Sequence, residues 1–494
     1  MISANLSDDV GRFLFLKDSV SGLFPELVSS FTMPNETRST HPEVVHFLGK
    51  TPTYWDRNVA FIANLMGLFF GNEEETQMLA DEVGEIDSYG GRMLPILNLL
   101  YAGAGENLLL LEREPDPSLV EFFSVKAGLD LPEVAVLPHE DYIRLGDRLQ
   151  RGETLAHAAS RRVCEYADDT IDGYVTDEVL GSLADRLGKR TVSSVEGSRR
   201  GNNKWLLHSH LEEIGLPFPV TEIAESGADA GRCLKALKTA GFSSGVIKAP
   251  IGASGIGLIK VDSLDDCDSI VIPGHFFTEG PCMVQGWLKP GEFGIEEIRS
   301  PSVQLFLDAE KVVLYDLTEQ ILSHDSVHEG NEAPPPYLSE WPDLQAELLR
   351  QAGIVGRWLH RQGYRGTGSV DFLVACEADR KFTVYVCEIN ARVTGATYPA
   401  VLARHFLPEG AWLLRNLRFS EPVPGAQILD LLASSGDLFI PGKSDLGVFP
   451  VNFNFGADGL VQKGQFLCLS SSPQANHMLL RLAELDLPCV PDRD

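Results

Sequence analysis

The sequence lacks the marks of several large protein classes. Eight cysteines lie among 494 residues, and no two form a Cys-x-x-Cys pair, so neither a zinc site nor a thioredoxin-type motif is supported. We therefore expect free thiols in a reducing cytoplasm. No stretch approaches the ~20 uninterrupted apolar residues of a membrane helix. The N-terminal stretch has no basic region followed by an apolar run, so we expect no secretory signal.

Basic residues are also scarce, with 41 Lys and Arg against 70 Asp and Glu, which gives a formal net charge of −29 at pH 7. So acidic a surface repels phosphate backbones and anionic lipids, and we expect neither nucleic acid nor membrane as a partner. A local basic cluster therefore stands out as a candidate anion site. The hydrophobic content of 44% is typical of a globular chain, with room for roughly three domains of about 150 residues.

The first part of the chain, to about residue 190, alternates between short apolar runs and amphipathic segments. Residues 107–112 contain four consecutive leucines, and residues 134–137 form a second apolar run. Both are typical of buried parallel strands. A helix is predicted from Thr176, as N-cap, to a stop at Gly188. The pattern predicts an open α/β domain.

Two hairpins are predicted further along the chain. One joins residues 369–376 to residues 382–389, and the other joins residues 448–455 to residues 460–469. A final helix follows the second hairpin, with Pro473 at its first position.

A glycine-rich turn follows the strand that ends at Lys248. Its glycines allow backbone N–H groups to approach phosphate oxygens, and the lysine adds a positive charge. The Gly-Lys-Ser/Thr of a Walker A loop is absent, and residues 258–261 continue as a strand rather than the helix of a Rossmann motif. The residues alone leave two interpretations open, a lid over a nucleotide or an ordinary tight hairpin.

Carboxylates are predicted to face each other in the first hairpin. A loop centred between Asp379 and Arg380 places Asp371 opposite Glu388. Asn390, two residues beyond Glu388, lies on the same face. Opposed like charges are destabilising unless a cation lies between them, and Mg²⁺ prefers such oxygen ligands. Solvation of both carboxylates on an exposed face is the alternative.

Three further segments are candidates for nucleotide contacts. Arg392 follows Asn390 by two residues and could hold a developing phosphate. Lys204 lies at a predicted helix start, where a cation is slightly unfavourable and therefore calls for an explanation. Residues 282–288 form an apolar strand and turn. This segment could present its backbone to an adenine edge or be an ordinary core strand.

Taken in this order, these segments resemble the ATP-grasp superfamily over residues 203–398. Asn202-Asn203-Lys204, Gly-Ser-Val-Asp before residue 372 and Glu-Ile-Asn-Ala-Arg before residue 393 are similar to those of pheganomycin-type peptide ligases. The resemblance implies an α/β and α+β fold. Its predicted parts are a pre-ATP-grasp α/β domain (1–193), an ATP-grasp N-lobe with a glycine-rich lid (194–300), a C-lobe with the metal site (301–418) and a C-terminal hairpin-and-helix segment (419–494).

The resemblance also implies roles for individual residues. ATP phosphates would be bound by Lys204, Lys248 and the loop residues Gly252, Ser254, Gly255 and Gly257. The adenine hinge would comprise Gln285, Trp287 and Leu288. Magnesium would be held by Asp371, Glu388 and Asn390, with Glu388 between two ions. Arg392 and Lys248 would be catalytic, and Arg392 carries more of that role because Ser369 replaces an arginine found in some relatives.

The activity implied is an ATP-dependent ligase that joins an amino-acid-like carboxylate to an amino acid or peptide amine through an acyl phosphate. Its partners would be small molecules, with a homodimer as the common default. Two alternatives remain from the sequence: a phosphotransferase of the same fold, and a nucleotide-binding regulator without catalysis. Release of orthophosphate separates a ligase from a phosphotransferase.

Overall fold

A computed structural model describes residues 42–490 except 51, 53, 84–88, 104–105, 153–157, 167, 254, 266, 268–269 and 323–327. Ser254 of the predicted glycine-rich lid therefore lies outside the described residues. The described strands form three sheets. No helix in these ranges combines the length and apolar character needed to cross a bilayer.

The first sheet is parallel and has helices on both faces. The early strands of the chain are β1 (Glu43–His46), β2 (Ala60–Ile62), β3 (Leu108–Leu111), β4 (Glu133–Val136), β5 (Thr170–Gly173) and β6 (Arg190–Thr191). The helices are α1 (Glu73–Val83), α2 (Leu97–Leu100), α3 (Pro117–Glu121), α4 (His139–Gln150), α5 (Ala158–Glu165), α6 (Glu178–Leu187) and α7 (Val195–Gly201). The sheet order is β4-β3-β2-β5-β6, and all of its neighbours run parallel.

The four-leucine run forms β3, and this confirms the predicted buried parallel strand. Alternate side chains of β3 point to opposite faces of the sheet. Leu109 and Leu111 therefore pack into one hydrophobic core, and Leu108 and Leu110 pack into another. Burial on both faces is why no polar residue interrupts the run.

Helix α6 begins one residue later than predicted. The Asp177 carboxylate, not the Thr176 hydroxyl, accepts the hydrogen bond of the Leu180 N–H at 3.0 Å. The predicted stop is confirmed, since Gly188 adopts φ 65° at the C-cap, a conformation that glycine tolerates best.

The second sheet is a small antiparallel one. Its elements are α8 (Lys204–Ile214), β7 (Thr221–Ala224), α9 (Ala230–Thr239), β8 (Gly245–Ala253), β9 (Ile256–Val261) and β10 (Cys282–Gly286), with the sheet order β7-β10-β8-β9. Ile247 and Val284 pack with α9 on one face. Lys248 pairs with Met283, so Lys248 and Gln285 share the opposite face.

The third sheet contains ten strands. They are β1 with β11 (Ile295–Arg299), β12 (Pro301–Leu307), β13 (Lys311–Leu322), β14 (His328–Ala333), β15 (Gly366–Glu377), β16 (Phe382–Asn390), β17 (Ala411–Val423), β18 (Gly447–Phe455) and β19 (Val461–Ser470). The accompanying helices are α10 (Pro342–Arg361), α11 (Thr397–Phe406), α12 (Gly425–Ser435) and α13 (Pro473–Asp486). The main order is β11-β15-β12-β13-β14-β17-β19-β18, with β16 beside β15 and β1 beside β13.

The third sheet extends across two predicted domain boundaries. Strand β1 comes from the region assigned to the first domain, yet it pairs in parallel with β13. Strand β17 crosses the boundary between residues 418 and 419 and pairs with β19. The division of the chain into four domains stays a prediction, and the third sheet includes strands from both sides of the proposed boundaries.

The first predicted hairpin is present, but its turn differs from the prediction. The turn is centred on Asp379, since Cys376 pairs with Phe382. A β-bulge after Asp371 then shifts the register by one residue, which places Asp371 opposite Glu388. The predicted pair is therefore correct and the predicted loop centre is wrong, because the bulge compensates for the difference.

The second predicted hairpin is formed by β18 and β19. The last helix begins as predicted, with Pro473 at its first position. The Ser472 hydroxyl caps it by accepting the Ala475 N–H at 3.3 Å.

Candidate active site

Two lysines of the small sheet region contact the end of β16 in the third sheet. Lys204, the first residue of α8, has its Nζ 3.3 Å from Glu388 Oε2 and 3.2 Å from the carbonyl oxygen of Gly252. Lys248 Nζ lies 3.6 Å from Cys387 Sγ. These contacts define a cleft between the two sheets, with lysines on one wall and carboxylates on the other.

Hydrogen bonds fix the orientation of the Asp371 carboxylate. Its Oδ1 accepts from the hydroxyls of Ser302 at 2.6 Å and Ser369 at 3.0 Å. Its Oδ2 accepts from the Asn390 amide at 2.9 Å. Asp371 and Asn390 are therefore in contact, and Glu388 lies opposite Asp371 across the ladder. The structure brings the three predicted metal ligands together.

The surroundings shift the pKa values of the two carboxylates in opposite directions. Burial, reinforced by the charge of Glu388, raises the pKa of Asp371 to about 6. Burial also acts to raise the pKa of Glu388, but the combined charges of Lys204, Arg392 and Lys248 outweigh it and hold that pKa below its ordinary value. The site therefore holds a charged carboxylate beside one that is readily protonated, and a divalent cation would stabilise the ionised form of both.

The donor set fits a hard cation. Two carboxylates and a side-chain amide offer oxygen atoms, which Mg²⁺ prefers over nitrogen or sulfur. No cluster of three or more His, Cys, Asp and Glu side chains suited to a metal occurs in the described ranges. The predicted site has only two side chains of those types and depends on Asn390 for its third.

Arg392 is held at the end of β16 by Asn202, the C-cap of α7. Its Nη1 donates to Asn202 Oδ1 at 2.7 Å, and the same oxygen accepts the Ala391 N–H at 3.1 Å. Burial lowers the pKa of the arginine, and the charges of Glu388 and Asp371 oppose that shift. The guanidinium is thus a fixed cation beside the carboxylates, since arginine stays protonated in proteins.

The glycine-rich segment is a narrow hairpin. Strand β8 continues through Gly252 to Ala253, and strand β9 begins at Ile256, just before Gly257. A Cβ at Gly252 would lie 2.6 Å from the carbonyl oxygen of Ile256, and Gly257 has φ +78°. Gly255 also has a positive φ, of +83°. The predicted strand–glycine–strand order is confirmed, and its role over a nucleotide stays a prediction.

The predicted adenine hinge begins in β10, an interior strand of the small sheet, and continues past the end of that strand. The Gln285 amide is buried and donates to Thr221 Oγ1 at 2.9 Å. The backbone N–H of Trp287 donates to the Ser244 carbonyl at 3.1 Å. Leu288 packs against the core of the small sheet. The Gln285 amide and the Trp287 N–H therefore already have partners within the protein, and adenine recognition by this segment stays a prediction.

Sequence reasoning assigned no role to two residues that lie at the cleft. Asn202 belongs to the Asn202-Asn203-Lys204 motif, so the sequence singles out its position. The sequence does not show its contact with Arg392. Glu75 belongs to α1 of the first sheet region and packs against Gly257. Nothing in the run Glu73-Glu74-Glu75 distinguishes the buried residue from its exposed neighbours.

Comparison with known proteins finds a curated sequence relative that matches part of the chain. No protein-family model matches the chain. The "[Butirosin acyl-carrier protein]--L-glutamate ligase" of Niallia circulans is 32% identical over 202 residues, which are 40% of this chain and 45% of that protein. The match thus covers less than half the length of the curated relative.

Solved structures with the same architecture cover most of the chain. Biotin carboxylase from Campylobacter jejuni superimposes with a TM-score of 0.54 at 12% identity, over 88% of this chain and 92% of that one. Carboxyaminoimidazole ribonucleotide synthase from Aspergillus clavatus, solved with ATP, gives 0.50 at 14% identity, over 87% and 98%. With the parallel first sheet followed by a small antiparallel sheet and a large, mainly antiparallel one, these matches confirm the predicted fold.

Proposed function

We propose that the protein is an ATP-dependent carboxylate–amine ligase, which forms an amide bond between an amino-acid-like carboxylate and an amino acid or peptide amine. The observation that carries the proposal is the position of Lys204, whose ammonium lies between Gly252 of the glycine hairpin and the Glu388 carboxylate. This arrangement provides cations for a triphosphate directly beside oxygen ligands for its metal ions.

Two comparisons support this activity. The sequence relative is named as a ligase of L-glutamate, a substrate with amino-acid carboxylates. One protein with the same fold was solved with ATP. We accordingly assign ATP and amino-acid-like carboxylates as substrates. The relative's name adds a carrier protein as a second class of acceptor.

The residues of the cleft have separate tasks in binding ATP. Lys204 and Lys248 would neutralise phosphate oxygens, and the hairpin around Gly255 would bring backbone N–H groups to them. Asp371, Glu388 and Asn390 would hold Mg²⁺, and the proposed number of ions is two. When bound, Mg²⁺ neutralises the charge on the β- and γ-phosphates.

The chemical steps need no nucleophilic side chain. The substrate carboxylate oxygen bonds to the γ-phosphorus as ADP leaves, giving an acyl phosphate. Arg392 and Lys248 stabilise the negative charge spread over the phosphoryl group during this transfer. The amine then bonds to the acyl carbon, orthophosphate leaves, and the nitrogen loses a proton. Closing the cleft excludes water, which would otherwise hydrolyse the acyl phosphate.

The proposed setting is the cytoplasm, with small-molecule substrates and a possible homodimer. No disulfide joins the eight cysteines, all of which lie in the described ranges, and this suits a reducing compartment. The proposed division of labour places the metal site in residues 301–418 and the glycine-rich lid in residues 194–300.

The proposal is tested by a screen for substrate-dependent release of phosphate. Pairs of amino acids and dipeptides, L-glutamate among them, are incubated with the purified protein, ATP and Mg²⁺. ADP and orthophosphate should appear in equal amounts only when both substrates are present, and mass spectrometry should show a product formed with loss of water. A carrier protein in place of the amine tests the second acceptor class.

Two outcomes would contradict the proposal. ADP without orthophosphate, with the phosphoryl group on the substrate, would identify a phosphotransferase. Absence of ATP turnover with every pair, in a protein that binds nucleotide, would identify a regulator. The control variant is Glu388→Ala, which should abolish turnover because it removes one of the two carboxylates proposed to hold Mg²⁺.

A further inference from the structure

Glu75 is the buried member of an otherwise exposed acidic turn. Helix α1 begins with Glu73-Glu74-Glu75. Carboxylates at a helix N-terminus are expected, because they complement the helix dipole in solvent. Glu73 and Glu74 are exposed accordingly, whereas Glu75 is only 1% exposed. A buried carboxylate is costly unless a partner compensates for lost hydration, so the position of Glu75 needs a specific explanation.

Helix α1 is attached to the lobe that carries the glycine hairpin. Asn72 Oδ1 accepts the Glu75 N–H at 3.3 Å, and the Asn72 amide donates to the His275 carbonyl at 3.0 Å. Glu75 is thereby held against the turn end of the hairpin, where a Cβ on Gly257 would lie 3.2 Å from Glu75 Oε1. The first sheet region thus contributes one carboxylate to the edge of the proposed nucleotide site.

Glu75 and Lys204 border the same pair of glycines in the hairpin. Lys204 Nζ lies 3.2 Å from the Gly252 carbonyl oxygen, and a Cβ on Gly252 would lie 3.6 Å from the Cα of Gly257, the glycine beside Glu75. Within the described part of the chain, Glu75 Oε1 is buried without a hydrogen-bond partner. Burial raises the pKa of Glu75 to about 7, the charge of Lys204 acts to lower it, and Glu74 acts to raise it. The thiol of Cys282 is a further neighbour, and its pKa is raised by burial and by Glu75. Lys204 is therefore the cation that favours the ionised form of this carboxylate.

Lys204 would lose its present carboxylate contact in the proposed reaction. Its ammonium lies 3.3 Å from Glu388 Oε2, an atom assigned to Mg²⁺ when the nucleotide is bound. We propose that Glu75 is a positioning residue for Lys204, a second carboxylate that keeps the ammonium directed at the phosphates once Glu388 binds metal. This inference rests on the proposed function and adds to it a role for the N-terminal α/β region in nucleotide affinity.

The test measures equilibrium binding of Mg²⁺ with a non-hydrolysable ATP analogue by titration calorimetry. Glu75→Gln preserves the shape of the side chain and removes its charge, and it should weaken binding on the order of tenfold, as expected for loss of a close charge partner. Glu74→Gln is the matched control. It removes the same charge from an exposed position one residue away and should change the dissociation constant less than twofold.

A double-mutant cycle distinguishes positioning from a general structural effect. Lys204→Met alone should weaken binding, and adding Glu75→Gln to Lys204→Met should cause no further loss. Glu75→Asp, with a shorter side chain of the same charge, should give an intermediate constant, and it carries the test if Glu75→Gln fails to fold.

Either of two results would overturn the inference. One is wild-type affinity in Glu75→Gln. The other is an equal loss of affinity when Glu75→Gln is added to the wild-type protein and to the Lys204→Met variant. Failure of the wild-type protein to bind the analogue at all would instead overturn the proposed function, so the two failures are distinguishable.

Discussion

At the scale of single residues, Asn202 joins two parts of the proposed site through one side chain. Its amide donates to the carbonyls of Ser198 at 2.8 Å and Ala391 at 3.1 Å, while its oxygen accepts from Ala391 and Arg392. The two amide hydrogens and the carbonyl oxygen of this buried side chain are therefore all matched. Asn202 thus fixes the direction of Arg392 without itself facing a substrate.

Replacing Asn202 should affect turnover more than nucleotide affinity. In Asn202→Ala the guanidinium of Arg392 loses its acceptor, so we expect kcat to fall on the order of tenfold or more, as for a mispositioned catalytic cation, while KM for ATP changes little. Asn202→Asp keeps an acceptor for Arg392 and should retain more activity. Steady-state kinetics of orthophosphate release measures both quantities, and equal kcat values for the two variants would contradict this role.

The chemical type of a residue and its local spacing carried most of the site prediction. Lysines before and within the glycine-rich segment, and carboxylates on a hairpin, are visible in a single sequence. The contacts of Asn202 with Arg392 and of Glu75 with Gly257 join distant segments, and no local pattern specifies them. The Asp371–Glu388 pair was predicted correctly only because a bulge compensated for a misplaced turn centre.

At the scale of elements, the β8–β9 hairpin depends on close backbone approach at Gly252. A Cβ there would meet the Ile256 carbonyl oxygen at 2.6 Å, so one strand must move. Gly252→Ala should therefore raise KM for ATP on the order of tenfold, since a displacement near 1 Å at a binding group has effects of that size.

The matched control for Gly252→Ala is Gly215→Ala at the C-cap of α8. Gly215 has φ +68°, and a Cβ at this position would have no atom within 4 Å. The substitution should lower the free energy of unfolding by about 1 kcal/mol through backbone strain, with KM for ATP unchanged. Kinetics and urea unfolding of both variants check the pair, and an equal KM increase in the two would contradict a local role for Gly252.

The cap of α6 should make stability depend on pH. Burial raises the pKa of Asp177 to about 7, against hydrogen bonds from Tyr142 and Leu180 that lower it. The folded protein then holds a proton that the unfolded chain releases at lower pH, so the stability contribution of this group is present in acid and is lost as pH rises toward 7.

Asp177→Asn keeps a capping side chain and removes the titration. Its stability relative to wild type should therefore increase between pH 5 and pH 8, by on the order of 2 kcal/mol. Thermal unfolding at the two pH values measures the difference. A difference that stays constant with pH would show that Asp177 does not titrate in this range.

Helix ends and strand periodicity were predictable because their causes are local. Gly188 and Ser472 act on backbone groups a few residues away, and so does the N-cap of α6. At that cap, Thr176 and Asp177 were both suitable capping residues, and Asp177, the stronger acceptor, caps the helix. The bulge after Asp371 was not predictable, since it arises from the pairing of β15 with neighbours on both sides.

At the scale of the whole molecule, the third sheet unites segments from the beginning, middle and end of the described chain. Glu43 pairs with Lys311, and Ala411 pairs with Ser470. Composition and motifs suggested separate parts along the chain, because pairing between remote strands leaves no signal in a single sequence. The wall of the cleft that carries the carboxylates is therefore supported by strands that the motifs do not include.

A buried ion pair joins three elements of this sheet. Arg404 of α11 donates from Nε and Nη2 to the two oxygens of Asp316 on β13, at 3.0 and 2.9 Å. Trp412 of β17 donates its indole N–H to Asp316 Oδ2 at 3.0 Å. Both charged side chains are 4% exposed. Such a pair holds its elements together mainly because breaking it leaves a buried charge without compensation.

Removing one partner should consequently destabilise the whole sheet. Arg404→Met leaves the buried Asp316 carboxylate without its cation, while the neutral donors of Trp412 and the Leu317 backbone remain. The free energy of unfolding should fall by about 3–5 kcal/mol. Arg144→Ala breaks an exposed pair with Glu140 and should cost about 0.5 kcal/mol or less. Urea unfolding followed by tryptophan fluorescence measures both, with buried Trp412 among the reporters. A loss below about 1 kcal/mol in Arg404→Met would mean that the sheet does not depend on this pair, whereas a smaller loss in Arg404→Met/Asp316→Asn than in Arg404→Met would identify the unpaired carboxylate as the cause.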